Sequence, residues 1–551
     1  MNSIFIRCRR TSVGMGMLLL MLGGNAFRVS ANPVPVANNP VTQGAATISG
    51  IGTSQVTINQ TSANAFINWT SFNMVPGETT TFNQPSSSSV TWNYINDPNA
   101  SSINGNINAN GYVVLQNPNG FTIGGQAAIT AHGLVMTTAS TPALNLSSGG
   151  PWSFSTPPPT ANIINYGQIN ITGGGSAFLI AADIENGIDP VTKNIGTISA
   201  PGGKIGLYAG QTVLVSTSPD GRGLSAQVTL PQGSVDNAGH LIADGGSIAA
   251  QARMVNQNGL VQANSAQNVN GVIELVASDS LNLGASSTIS ASGDSTATSP
   301  GGFVVLKSAN TFADMSSSAI SVSGNNGGAN GFVEIFGVGT TASTINSTID
   351  GAAAGQYSQL LVNPFDLTLS SDPAANISLS TLSSYSQIDL QALDDINIGS
   401  AQALTDPGLT AGQGIHLTAG NGIYLWGTAS LQTQSGDINL WAANEVQVGW
   451  SGTAGPPGIV NPGSGNITTR NGGNISVTTQ YGDVNTGSNP SGFIYLNAAP
   501  YYYLDPVLGV GGISTTAGGN VTINACGDVI SYNPSGANSF ALSLKIGRAH
   551  V

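Results

Sequence analysis

The chain has 551 residues, only 7% of them charged, 40% hydrophobic, with 73 glycines and a net charge of −13. It is too apolar for a disordered chain and too poor in charge for an ordinary helical enzyme. Asn, Ser, Thr and Gly dominate, a mix suited to many short strands joined by tight turns. The acidity leaves no electrostatic footprint for nucleic acid or anionic lipid. A chain this long usually divides into several domains, but a repeat protein escapes that rule because each unit touches only its neighbours.

Residues 1–31 read as a signal peptide. Arg7, Arg9 and Arg10 form a basic start, Val13–Leu22 is an apolar core too short to span a bilayer, and Val29-Ser30-Ala31 fits a small-residue cleavage site. The mature chain is expected to start at Asn32, with no transmembrane span. Cys8 leaves with the signal and Cys526 stands alone, so stability must come from stacking without disulfides.

Strand-like runs separated by turn residues fill the next part, from Ala46 to Ser140. Among them, Asn117-Pro118-Asn119-Gly120 sits between a run holding Val113 and Leu115 and one holding Phe121 and Ile123. Pro118 presets φ at the second turn position and Gly120 tolerates left-handed geometry. Asn117 can bond to backbone two residues on, and Asn119 is expected to tolerate the left-handed region. The Pro-rich stretch Gly150–Asn162 is expected to be a surface excursion.

From about Asn162 a loose repeat appears: an Asn-x-Gly-x-apolar corner, as in Asn165–Ile169, Asn194–Ile198 and Asn237–Leu241, followed by Gly-started strands. Their alternation predicts Ile205, Leu207, Ile248, Val304 and Ile475 inside. Copies about 20 to 30 residues apart match turns of a parallel β-helix of some 20 to 25 coils, on the order of 100 Å long, with Asn ladders between coils. Its open end needs a cap against edge-to-edge growth. The repeat blocks are residues 161–354 and 374–544, joined by a connecting segment, 355–373. The second block carries Trp426, Trp441, Trp450 and Tyr501–Tyr503. These could bind glycans or other chains, or pack beneath loops.

Little suggests chemistry. His132, His240, His416 and His550 do not pair at metal spacing, His132 reading as a coil corner, and no HExxH, GxSxG or phosphate loop is present. A β-helical polysaccharide lyase would need clustered carboxylates and a base. The nearest clusters are Asp183 with Glu185 and Asp394 with Asp395, while Arg222, Arg253 and Arg470 are isolated in sequence. The residues point to no catalytic group, cofactor or metal.

The segment from Ala46 to Ser140 resembles the N-terminal secretion domain of the filamentous haemagglutinin family, the exoproteins of two-partner secretion. Asn68, Trp69, Phe72 and Asn73 match the family's Asn-Trp-x-x-Phe-Asn element, and Asn117, Pro118, Asn119 and Gly120 match its Asn-Pro-Asn-Gly motif. Gly133–Ala139 matches the closing strand. Where many members carry Leu-Asn-Arg-Val, this chain has Trp92-Asn93-Tyr94-Ile95, which puts any role of that Arg in doubt.

The resemblance implies an all-β, right-handed parallel β-helix with an N-terminal cap, the secretion domain occupying residues 32–160. It implies export to the periplasm and passage through an outer-membrane TpsB-type pore with POTRA domains. The product would be a secreted or cell-surface adhesin of haemagglutinin type, meeting a host or neighbour-cell surface glycan or protein. The eight motif residues are then candidates for secretion and partner recognition, the turn acting mainly through folding. Two other readings remain: a β-helical polysaccharide-degrading enzyme, and an autotransporter passenger lacking its barrel.

Lys545–Val551 breaks the style of the preceding residues and resembles the translation of a sequencing adapter, so residues 545–551 are expected to be an artefact and the chain an N-terminal fragment. Removing both ends would leave six basic residues against 25 acidic ones. Long-read resequencing should replace those seven residues and extend the frame. Recovery of the same codons followed by a stop from genomic DNA would contradict this.

Overall fold

The structure, a computed structural model, describes residues 32–140, 150–155, 160–217, 224–266, 269–337, 345–350, 359–363, 366–370, 377–378, 387–400, 403–406, 414–450, 465–487, 512–515 and 518–530. The signal-peptide and adapter segments, Tyr501–Tyr503, Arg222 and His550 lie outside these residues. So do the Trp450 side chain and residues 355–358, 364–365 and 371–373 of the connecting segment.

One coil shows how the sequence folds. Tyr112–Gln116 forms a first face and the Asn117–Gly120 turn leads into a second, Phe121–Ile123. Gly124 and Gly125 lead to a third, Ala128–Ala131, and the chain re-enters the first face one level up at Gly133–Thr137. Val113 then lies over Leu134 and Leu115 over Met136, in parallel register. Because side chains alternate across a strand, this register stacks Val113, Leu115, Phe121, Ile123, Ile129, Leu134 and Met136 in one buried column. Ile205, Leu207, Ile248, Val304 and Ile475 are all buried in that column, as their alternation predicted.

Among the described residues the first face holds sixteen strands, from Asn64–Ser71 to Val521–Ala525, joined by fifteen parallel pairings. At about 4.8 Å per step they span roughly 70 Å. This is fewer coils than the 20 to 25 expected, because insertions lengthen several. Leu134 to Ala177 and Ile205 to Ile248 are one step each.

The expected cap is present. Val34–Pro35 and Val41–Gln43 run antiparallel to Asn64–Ser71, and Ala46–Ser49 runs antiparallel to Gln55–Gln60. Antiparallel strands cannot continue the coil, so they close the first edge.

The Pro-rich excursion is corrected in part. Trp152–Ser155 is a strand in a three-stranded antiparallel sheet with Gly210–Thr217 and Leu224–Pro231. This sheet covers the outward side of the first face. Trp152 and Phe154 are fully buried there, Trp152 edge-on to Trp92 at 5.7 Å and Phe154 stacked on it at 5.8 Å. Both insertions bring apolar side chains, which gain more by covering Trp92, Phe178 and Tyr208 than by facing water.

Asn ladders are present too. Asn165 Nδ2 donates to Asn186 Oδ1 (2.8 Å), Asn186 Nδ2 to Asn237 Oδ1 (2.8 Å) and Asn237 Nδ2 to Gln257 Oε1 (2.7 Å). All four are buried, so each amide must find its partner in the neighbouring coil. Replacing Asn186 with Ala strands the amides on both sides and should cost about 1–3 kcal/mol. The exposed Asn170→Ala should change stability by less than about 0.5 kcal/mol. Urea unfolding of both variants checks this; equal midpoints would contradict it.

Candidate secretion site

Two sequence elements about fifty residues apart meet in the first coils. Asn117 is fully buried at the head of its turn. Its side-chain oxygen accepts the Asn119 N–H (2.9 Å), and its carbonyl accepts the Gly120 N–H (3.0 Å). Its amide donates to the Asn99 carbonyl (3.1 Å) and the Ser101 hydroxyl (3.0 Å), both in the preceding coil. The left-handed position belongs to Gly120 (φ +105°), where a Cβ would stand 2.6 Å from the Asn162 carbonyl. Asn119 does not take positive φ, contrary to expectation. It contributes through its side chain, donating to the Asp97 carbonyl (2.8 Å). Pro118 is half-buried between them.

Asp97 also receives the other element. Asn73 Nδ2 donates to Asp97 Oδ2 (3.1 Å), while Asn73 Oδ1 accepts the Ser102 N–H (2.8 Å). Asp97 Oδ1 accepts the Asn99 N–H (2.9 Å). The Asp97-Pro98-Asn99 loop is thus gripped by Asn73 from one coil and by Asn117 and Asn119 from another. Sequence reading missed Asp97, Asn99 and Ser101, though an Asp-Pro-Asn turn signal stood in plain view.

The rest of the first element anchors the same region. Trp69 and Phe72 are fully buried and edge-to-face at 5.2 Å. Trp69 Nε1 donates to Asn93 Oδ1 (2.9 Å) in the next coil, which fixes an otherwise costly buried amide. Asn68 accepts and donates outward: its N–H reaches the Pro40 carbonyl (2.8 Å) and its carbonyl accepts the Val36 N–H (3.1 Å), tying the cap to the first coil. Where the family's Arg is absent, Tyr94 stacks on Phe66 at 6.4 Å.

Residues 34–222 match the family model described as the TPS secretion domain. This part of the chain carries the secretion domain of two-partner, TpsA-type exoproteins. Proteins of this family are exported by two-partner systems to the cell surface or the medium. The chain is similar to a heme/hemopexin-binding protein of Haemophilus influenzae strain Rd, 30% identical over 277 residues, covering 48% of this chain and 30% of that one. A second Haemophilus influenzae heme/hemopexin-binding protein is 40% identical over 95 residues, covering 17% of this chain and 10% of that one. The chain therefore spans less than a third of the length of these relatives. The crystal structure of the HMW1 secretion domain from Haemophilus influenzae aligns with a TM-score of 0.38 at 18% identity, over 88% of this chain and 98% of that chain.

The groups weighed for catalysis are structurally engaged. Asp183 accepts the Ser234 N–H (2.8 Å) and hydroxyl (3.0 Å). Glu185 lies against Tyr166, whose hydroxyl is pushed up to about 12 by burial and then by that carboxylate. Arg253 pairs with Asp279 and Arg470 donates to Gln432. His132 stands at a coil corner, edge-on to Tyr112 at 5.4 Å. Asp394 and Asp395 are joined by Asp366 from the preceding coil, close enough for the three carboxylates to share an ion. Burial raises the Asp395 carboxyl, with Asp394 and Asp366 adding to it, against the bonds from Gly422 and Asn421.

Removing the Asp97 carboxylate takes the acceptor from Asn73 Nδ2 and from the Asn99 N–H, so Asp97→Ala should cost about 1–3 kcal/mol. It should also speed hydrogen exchange at the Ser101 and Gly120 amides; unchanged exchange would contradict the shared grip. At Asp395 the raised value makes the charged form unfavourable in the folded state. Its contribution to stability is full below the unfolded value of about 4 and is lost as pH rises through the folded one. Asp395→Asn keeps an acceptor for Asn421 and Gly422, so it should raise the melting midpoint by about 1–3 °C near pH 7. Near pH 3 the gain should vanish; a gain of equal size at both values would contradict this.

Proposed function

We propose that the Asp97-centred cluster is the folding checkpoint of export. The first coils close around it, and a TpsB-type outer-membrane pore with POTRA domains takes up the chain they begin. The exported chain then acts as an adhesin or haemagglutinin-like binding protein, with the later coils as its reach toward a host or neighbour-cell surface. The observation that carries this reading is the meeting of both family elements on one loop, inside the part matched to the secretion domain. Binding is favoured over catalysis because Asp183, Arg253 and Arg470, groups a lyase could use, are spent on structural contacts. We further propose that the secretion unit begins near residue 32 and that the chain is the N-terminal part of a longer protein.

The cluster makes export sensitive to small losses. Asn117→Ala removes the bonds to Asn99, Ser101 and Asn119 at a cost of about 1–3 kcal/mol. That is minor in a finished rod but large for coils that must nucleate folding. A neutral control has to be an exposed strand residue such as Asn170. Asn237, which looks like an ordinary corner in sequence, is part of the buried ladder and Asn237→Ala is not silent. Co-expressed with the cognate pore and measured by immunoblot, the secreted fraction of Asn117→Ala should fall about fivefold or more, while Asn170→Ala matches the parent. Equal secretion by the two would contradict the proposal.

A further inference from the structure

The outward side of the first face passes through three territories. As far as Lys204–Tyr208 it lies under the antiparallel cover. Across Phe303–Ser308 and Phe332–Gly337 no described strand covers it, and Phe303 and Phe332 stand ring to ring at 6.3 Å beside the Lys307–Glu334 ion pair. From Gln387–Ala392 onward it is polar, and no described strand covers it. One tryptophan stands in that polar field: Trp441, 38% exposed.

Register fixes what surrounds the indole. Thr418, Trp441 and Thr478 lie one above another in successive coils, and His416, Asn439 and Ser476 form the adjacent outward column. The side chains of Thr418, Asn439, Ser476 and Thr478 make no hydrogen bond to a described residue. His416 Nδ1 lies 2.9 Å from Asp389 Oδ1, and Asp389 is held in turn by Gln387 Nε2 (2.8 Å). That pair orients the imidazole and leaves Nε2 available.

We propose that this grid binds a neutral glycan, with the apolar face of one sugar ring against Trp441. The electron-rich indole face attracts the polarised C–H groups of a pyranose. Amide, hydroxyl and imidazole groups on either side supply both donors and acceptors for its hydroxyls. The charge on the face selects the class. Asp389 and Asp437 are its charged groups, and the strands Gln387–Ala392, Gly414–Ala419, Asp437–Ala442 and Ile475–Thr479 carry no Lys or Arg. Acidic glycans and nucleic acid are therefore repelled. A protein partner would require an apolar interface centre, which one indole among hydroxyls and amides does not supply. The inference rests on the reading of the chain as a binding protein.

The test is a printed array of neutral and acidic glycans probed with the full chain, its Trp441→Ala and Trp441→Phe variants, and Phe303→Ala as a control from the second territory. Neutral glycans should bind, with affinity lowered about tenfold or more by Trp441→Ala and largely kept by Trp441→Phe and Phe303→Ala. Binding should change little with salt, since no ion pair is used. All four proteins should give the same melting curve, because Trp441 is on the surface. Binding confined to acidic glycans, no neutral glycan held, or full binding by Trp441→Ala would overturn the site. Attachment of the chain to cells that survives Trp441→Ala would overturn this site while leaving the adhesin reading intact. Absence of attachment by the parent chain would fail that reading itself.

Discussion

Among the described residues, the strands of the coils pair in parallel with their equivalents one coil earlier, and that backbone ladder constrains everything else. A parallel step of about 4.8 Å leaves no freedom inside. Each inward position must be filled by an apolar side chain that fits the one above and below, as Ile205, Ile248, Ile273 and Val304 do. Buried amides face the same demand and meet it by bonding along the axis, from Asn165 through Asn186 and Asn237 to Gln257. The ladder also leaves an edge at its start, where three antiparallel strands stop it.

Outward positions are released from this constraint, and function is written there and at the corners. The insertions between coils use that freedom to build a second core over Trp92 and Tyr208. The residues that resemble the family's motifs sit at corners: Asn117 and Asn119 leave the first face at one level, Asn73 at another, and Asp97 lies between them. A corner residue that bonds to the preceding coil can only form its contacts once that coil is in place. The cluster's contacts therefore join coils that must both be in place. The exposed Cys526 offers no competing crosslink to the described residues.

Much of this was legible in the sequence, and the gaps have physical causes. Period-2 alternation after glycine corners gave the parallel β-helix and its inward residues, because burial on one side of a strand leaves that pattern directly. Asn-rich corners gave the ladders. Trp152 and Phe154 were read as part of a loop because the prolines that follow them dominate the local composition, while their partners lie sixty residues away. The coil number was overestimated because insertions lengthen a coil without adding a level. Asp97 was missed because its role exists only between coils, and a turn signal says nothing about which distant amide it will accept. The positive φ fell on Gly120 because the chain turns there against the Asn162 carbonyl, leaving Asn119 free to reach Asp97 instead.

The central claim is that the two secretion elements act as one unit through the Asp97 loop. A double-mutant cycle on Asn73→Ala and Asn119→Ala, read by unfolding free energy of the secretion domain within the full chain, tests it most directly. If Asp97 joins them, the double variant should lose less than the two single losses together, with a coupling of about 0.5 kcal/mol or more. Strict additivity would mean that each element holds its own coil independently, and the account of a shared site would be wrong.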